Sequence, residues 1–425
     1  MNLSDSLNLG CACKTLDAMR LRRELERNPG LSGLGAGLQD SHPHLFANTT
    51  VFIDAGTCDT LARAVAAIER VAALPGYQAE ALAHAPAIAQ HNLGPLGVFM
   101  GYDFHLGEHG PRLIEINTNA GGAFLNAALA RAHRSCCAAM DEALKLGPQA
   151  PDLDASFSGM FRAEWRLQRG DATWRTVLIV DDAPQAQYLA PEFAMARAWF
   201  RAQGLLAEVA DPGELVWRDG ALWHPALPAD HPVDLVYNRL TDFDLSEPGH
   251  AALRQAYEAG AVVLTPHPRA HALLAHKRNL IALSDPDRLA QWGANEADRA
   301  LLQQVVPLTE TVTADQAEAL WTRRRQLFFK PGSGYGGKAA YRGDKLTRRV
   351  WDEILANGSY VAQALVPPSE RLVTVDGEEK HLKMDLRAYT YQGQIQLLAA
   401  RLYAGQTTNF RTPSGGFSPV AVLPA

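Results

Sequence analysis

Asp103, Glu115 and Asn117 carry the oxygen donors that a magnesium ion takes beside nucleotide phosphates, where one or two carboxylates suffice. They lie in "LGVFMGYDFHLGEHGPRLIEINTN", two alternating runs joined by the short turn "GEHG", which predicts a hairpin. In "RLIEINTN" the strand period of two sets Leu113, Glu115 and Asn117 on one face and Ile114 and Ile116 on the other. A turn centred between Glu108 and His109 is expected to bring Asp103 opposite Glu115 and Gly101 opposite Asn117. Directly opposed carboxylates repel, so the pairing makes sense with a cation between them; two solvated acids on an exposed face are the alternative.

A glycine loop, "KPGSGYGGK", follows more than two hundred residues later. Gly332 to Lys338 spells GxxxxGK, which would make a P-loop NTPase, yet Ala339 stands where that loop needs Ser or Thr and no convincing helix follows. Gly332, Gly334 and Gly337 spell GxGxxG, again without the helix. What remains is a flexible loop entered through Lys330, whose backbone amides can close over phosphates above the lysine charge. A plain glycine-rich hairpin turn is the other reading. Arg239 follows the strand "DLVYN", where α/β sheets present ligands; it is expected to meet a substrate carboxylate or to form a surface salt bridge with Asp242 or Asp244. Gly121 and Gly122 open a helix whose free amides suit an anion, or simply start it.

The elements that must position these groups fall into three stretches, as 425 residues at roughly 150 per domain would suggest. Residues 1–150 hold helices, the strand "TTVFIDAG", the hairpin and an alanine-rich helix from 121, ending in the linker "GPQAPDLDASFSG". Residues 151–268 alternate strand and helix ("TVLIVDD", "PEFAMARAWFRAQG", "LLAEVA", "DLVYNRL", "AVVLTP") in the manner of a parallel, Rossmann-like sheet, without the dinucleotide glycine fingerprint. Pro268 is placed to open the helix "PRAHALLAHKRNLIAL", which carries Lys277. Residues 269–425 then give a small mixed module, about 300–362, followed by antiparallel strands.

Composition narrows the function classes. With 40 Lys+Arg against 46 Asp+Glu, a net charge of -6 and no basic-aromatic run, nucleic acid is not implied. Neither an apolar span nor a leader pattern stands out, which predicts a soluble cytoplasmic protein. Five cysteines are odd in number and too sparse for a disulfide framework. Cys11-x-Cys13 with His42-x-His44 could offer zinc ligands, but the spacing is tighter than the usual CxxC.

Together these motifs resemble the ATP-grasp superfamily of carboxylate-activating ligases, such as glutathione synthetase and D-alanine:D-alanine ligase. The resemblance runs over about 260–425 plus 96–125, with the unit at 175–265 similar to the family's preceding substrate domain. It implies that Lys277 and Lys330 are the two phosphate lysines and that Gly332, Ser333, Gly334, Tyr335, Gly336 and Gly337 form the lid loop. It also implies that "YVAQALVPP" is the hinge strand, offering backbone of Ala364 and Leu365 to adenine with Gln363 beside them, where the family often has Glu. Asp385 and Arg387, Arg401, then Asn409 before Gly415 and Gly416 resemble the family's D-x-R, Arg and N-x-x-x-GG series. The signatures that would follow, Asp and then Glu-x-Asn, stand instead near the start, so the implied fold is an α/β (α+β), circularly permuted ATP-grasp fold with a Rossmann-like substrate domain and a small mobile lid.

The implied activity uses ATP and Mg2+. A small-molecule or peptide carboxylate attacks the γ-phosphate, and an amine or thiol displaces phosphate from the acyl phosphate. Asp103, Glu115 and Asn117 would hold the metal, Arg387 or Arg401 would stabilise the developing charge, and Arg239, Asn409, Gly415 and Gly416 would meet substrate. A non-catalytic ATP-binding protein on the same fold is the alternative.

Overall fold

The computed structural model describes residues 2–134, 152–334 and 339–424. Among them the largest sheet has seven strands, and its spatial order departs from chain order. The long strand Glu378–Tyr391 is its axis. One side of that strand pairs antiparallel with Gln394–Tyr403, which leads to Gly416–Leu423 and then, in parallel, to Val51–Asp54. The other side pairs first with Ser369–Val375 and, further along, with the early strand Met100–Gly107, whose hairpin partner Gly110–Asn117 forms the edge. Segments from both ends of the chain thus share one hydrogen-bonded surface.

Helix Ala55–Ala72 covers one face of this sheet. Asp54 caps it, accepting the Thr57 N–H at 2.7 Å, and Leu61, Ala64, Val65, Ile68 and Val71 recur on one side at helical spacing and are buried. The opposite face packs on helices Ala123–Ala132 and Leu153–Arg169, with Phe99, Phe124, Phe157 and Phe161 meeting edge to face.

A four-stranded parallel sheet, ordered Leu206–Ala210, Thr176–Val180, Leu235–Asn238, Val263–Thr265, lies beyond those helices. Its two central strands, Thr176–Val180 and Leu235–Asn238, are buried throughout, as expected of a parallel sheet covered on both sides. Glu164, fully buried on the intervening helix, ties the layers together: it accepts the N–H groups of Leu96 and Gly97 at 2.9 Å and hydroxyls from Thr265 and Tyr391 at 2.5 and 2.9 Å. A third, antiparallel sheet joins Thr309–Thr311, Tyr360–Ala364, Leu327–Pro331 and Tyr341–Arg342, with its own core around Phe329 and Trp351. No helix among the described residues is long and apolar enough to cross a membrane.

Two local expectations are corrected, and the expected pairing of Asp103 with Glu115 and Gly101 with Asn117 is met, through a bulge rather than a regular hairpin. The stretch read as a linker becomes helix from Leu153: Asp152 accepts the N–H groups of Asp154 and Ala155, and Leu153, Phe157, Met160 and Phe161 are buried. The helix opened by Pro268 does not run through Lys277. It ends in a wide turn closed by His276 N–H to His271 O at 3.0 Å, and the Lys277 N–H goes instead to Gly332 O at 2.8 Å. In the hairpin, Gly107 pairs with Gly110 and Phe104 with Leu113, which by themselves would set Asp103 against Ile114. A bulge between Asp103 and Phe104 adds a residue and sets Asp103 opposite Glu115. It also breaks the period of two, so Leu113 and Ile116 enter the core while Ile114, Glu115 and Asn117 line a cavity.

Candidate active site

That cavity, about 830 Å³, lies where the large sheet, the parallel sheet and the small antiparallel sheet converge. It gathers Asp103, Glu115 and Asn117 with Lys277, Lys330, Arg387 and Arg401, residues separated by up to nearly three hundred positions in the chain.

The cations beside Asp103 are guanidinium groups. Arg387 grips its carboxylate through Nε and Nη2 at 2.6 and 2.7 Å, and Arg401 adds Nη2 at 2.9 Å. Arg401 also donates Nε to Asp385 at 2.6 Å, and Thr408 donates to the same carboxylate at 2.6 Å. The strand register explains the cluster: Arg387 sits opposite Asp103, and Asp385 opposite Arg401. Burial opposes charge on Asp103, yet the two arginines outweigh it and hold its pKa at about 2. Asn117 donates its amide to Asp103 at 3.1 Å and to Glu115 at 3.3 Å, bridging the opposed acids.

Glu115 faces the lysines. Burial pushes its pKa up, but Lys277, with Nζ 3.9 Å away, and Lys330 bring it below the usual carboxylate range. The Lys330 Nζ is buried, donating to the Ile114 carbonyl at 2.7 Å and to the Gln363 Oε1 at 2.8 Å. Burial lowers its pKa to about 8, against the pull of Glu115. Lys277 Nζ donates to the Gly334 carbonyl at 2.9 Å, so the start of the glycine loop is fastened at its carbonyl.

Gln363, Ala364 and Leu365 also line the cavity, but their groups are partly committed. Gln363 holds Lys330 through its oxygen, and its buried Nε2 has no partner among the described residues. The Ala364 and Leu365 N–H groups donate to Leu308 O and Gln326 O at 2.8 Å, so both amides are already spent inside the small sheet. Arg239 is buried and lines the cavity, and Asp242 is engaged by His250 at 2.8 Å; the surface salt bridge is therefore not formed. The helix start at Gly122 binds an anion of the chain itself, the Glu192 carboxylate, through the Gly122 and Phe124 N–H groups at 2.8 and 3.1 Å.

Several singled-out residues stand elsewhere. Ser333 faces a second cavity, with His271 and His276. Asn409 folds onto its own loop, donating to Ala404 O at 2.7 Å and accepting from Arg411 N and Thr412 Oγ1 at 3.0 Å. Gly415 and Gly416 serve the backbone: Gly416 has φ +101°, and a Cβ there would lie 2.4 Å from His44 O. Tyr335, Gly336, Gly337 and Lys338 lie outside the described residues, as do Cys136 and Cys137. Among the described residues no three His, Cys, Asp or Glu side chains group as a metal cluster, and His42 spends its Nε2 on Tyr188 O at 2.9 Å. Sequence reasoning missed Asp181, which lines the cavity from the end of "TVLIV"; the strand-end rule that singled out Arg239 applied equally there.

No protein-family model and no curated protein sequence matches the chain. Among solved structures it is similar to a glutathione synthetase-like effector from Globodera pallida, in the apo form, with a TM-score of 0.60 at 11% identity over 96% of this chain and 98% of that one. The two share a mixed α/β fold nearly end to end. A putative γ-glutamylcysteine synthetase from Methylobacillus flagellatus KT gives a TM-score of 0.46 at 12% identity, covering 84% of each chain. A D-cycloserine synthetase gives 0.28 at 20% identity, over 54% of this chain and 75% of that chain.

Proposed function

We propose that the protein is an ATP-dependent ligase that joins a carboxylate to an amine or thiol through an acyl phosphate, on a circularly permuted ATP-grasp fold. The observation that carries this reading is the single cavity in which two lysines, two arginines and the Asp103, Glu115, Asn117 set converge. The fold shared with a glutathione synthetase-like effector supports it. Support for the permuted order comes from the pairing of the early strand Met100–Gly107 onto the late strand Glu378–Tyr391.

Lys277 and Lys330 are point charges for phosphate oxygens, and Lys330 is held in place by Ile114 and Gln363 before nucleotide arrives. Asp103, Glu115 and Asn117 fit magnesium by donor type: hard oxygens on one sheet edge beside the phosphate lysines, with Glu115 and Asn117 the freer pair because Asp103 is shared with two arginines. Glu115 and Asn117, with Asp103 beside them, would hold such an ion, which would supply positive charge against the phosphates. Arg387 and Arg401, whose Nε and Nη2 groups are held by Asp103 and Asp385, keep their remaining N–H groups and their charge for the transferring group. No side chain need act as nucleophile toward phosphorus; the substrate carboxylate does so.

The test is ADP and phosphate release by the full chain with magnesium and ATP, screened over carboxylates paired with amino acids and small peptides, with mass spectrometry of the product. Substrate-dependent ADP release that Glu115→Gln abolishes supports the ligase. ATP binding with no release under any pairing would support the non-catalytic alternative.

A further inference from the structure

The parallel sheet delivers to the same cavity a pair of opposite charges that phosphoryl transfer does not use. Strands Thr176–Val180 and Leu235–Asn238 are paired in parallel, with Val180 level with Asn238. The next residue on each, Asp181 and Arg239, therefore emerges side by side at the carboxyl ends, and both line the cavity. Both are more than nine-tenths buried.

Among the described residues neither group has its hydrogen-bonding capacity filled. Of the five N–H donors of a guanidinium, Arg239 commits one to Asn119 O at 2.9 Å and one, weakly, to Tyr237 Oη at 3.4 Å; its Nε has no partner among the described residues. Asp181 accepts only the N–H of Asp182 at 2.9 Å among the described residues. Arg239 lies in the field of the buried Glu192 as well as that of Asp181, and it forms an ion pair with neither. A buried cation and anion held apart in one cavity leave room for a ligand that pairs with both, because each is costly to leave unpaired.

The ligand that presents a carboxylate and an ammonium group one carbon apart is a free α-amino acid. A dipeptide puts those groups on different residues, while a simple amine or acid satisfies only one partner. Tyr188, Leu189 and Phe193 give this end of the cavity apolar walls for a side chain. Gly121 shapes its floor: a Cβ there would lie 2.3 Å from Leu189 Cδ1 and 3.2 Å from Arg239 Nη2.

We propose that Arg239 and Asp181 form the acceptor subsite, holding a free α-amino acid by its carboxylate and its ammonium group respectively. This rests on the ligase reading for its chemistry. Asp181 takes one proton from the ammonium group, and the freed amine attacks the acyl-phosphate carbonyl carbon. The C–N bond forms, the bond from carbon to the phosphate oxygen breaks, and inorganic phosphate leaves with the second nitrogen proton. Burial lifts the pKa of Asp181 to about 7, with Arg239 opposing, which suits a group that takes up and returns a proton near neutrality.

Binding without turnover tests the assignment. Thermal shifts of the full chain are measured with each standard L-amino acid, with the amine and acid analogues of any that bind, with dipeptides, and separately with a non-hydrolysable ATP analogue plus magnesium. At least one amino acid should raise the Tm where its amine and acid analogues and the dipeptides do not. Arg239→Gln and Asp181→Asn should each weaken that binding about tenfold to hundredfold and leave the ATP-analogue shift unchanged, which also shows that they fold. The subsite is overturned if no amino acid binds while the ATP analogue does, if an amine, acid or dipeptide binds as well, or if both variants bind like the wild type. An amino acid that binds where the ATP analogue fails would uphold the subsite and sink the ligase reading instead.

Discussion

Replacing Asp103 with asparagine separates a structural role from a metal-binding one. Asp103 and Asp385 balance Arg387 and Arg401, two negative charges against two positive, with the four side chains only 3–11% exposed. Asparagine keeps the shape but removes one negative charge and turns an amide N–H2 toward a guanidinium, so one positive charge is left uncompensated. Removing one partner of a buried pair costs about 3–5 kcal/mol. At roughly 2–4 °C per kcal/mol for a unit of this kind, the Tm of Asp103→Asn should fall by roughly 6–20 °C. Glu115→Gln is the matched control. Its side chain is 28% exposed and its lysine lies 3.9 Å away, so it should cost under about 1 kcal/mol while weakening binding of magnesium and ATP. Acid titration gives a second readout. The folded pKa of Asp103, about 2, lies below the ordinary 3.8, so its contribution is present above the ordinary value and lost as pH falls through about 2. Asp103→Asn should flatten that part of the stability curve. An Asp103→Asn protein melting within about 2 °C of the wild type, or Glu115→Gln proving equally destabilising, would refute the cluster as the source of this stability.

Three further outcomes follow from the geometry. Lys330→Met should weaken ATP binding about tenfold to hundredfold, measured by calorimetry, while Lys338→Ala leaves it intact; the reverse pattern would favour a P-loop site. His267 donates Nε2–H to Pro95 O at 2.8 Å and accepts the Ala270 N–H on Nδ1, so it is built in neutral, and burial lowers its pKa to about 4. With that depressed value its contribution is whole above about 6.5 and declines by up to about 1.4 kcal/mol per pH unit toward pH 4; His267→Gln should reduce the slope of Tm against pH in that window. Gly416→Ala should destabilise by about 1–3 kcal/mol in denaturant unfolding, because φ is +101° and the methyl group meets the His44 and Leu45 carbonyls.

Much of the cavity's membership was legible in residue type. Asp103, Glu115, Asn117, Lys330 and Arg387 stand on strands that alternation and turn residues mark, and a charged residue inside an apolar strand pattern is conspicuous because burial without a partner is costly. The acceptor pair was half legible: Arg239 and Asp181 obey one strand-end rule, and only adjacency in the sheet makes them a pair. Asn409, Gly415 and Gly416 were singled out by pattern, yet their work is local, in a loop that must turn tightly under the strand that follows.

The sequence by itself determined which segments are strands and helices, since hydrophobic period and capping residues act over a few positions. Tertiary structure alone decided which charges meet. The arginines that neutralise Asp103 come from strands nearly three hundred residues away, brought beside it by the pairing of Met100–Gly107 with Glu378–Tyr391. Lys330 reaches the Ile114 carbonyl only because two sheets converge there. Such contacts join groups far apart in the chain, and no local preference encodes them; they are fixed by which apolar faces can be buried together.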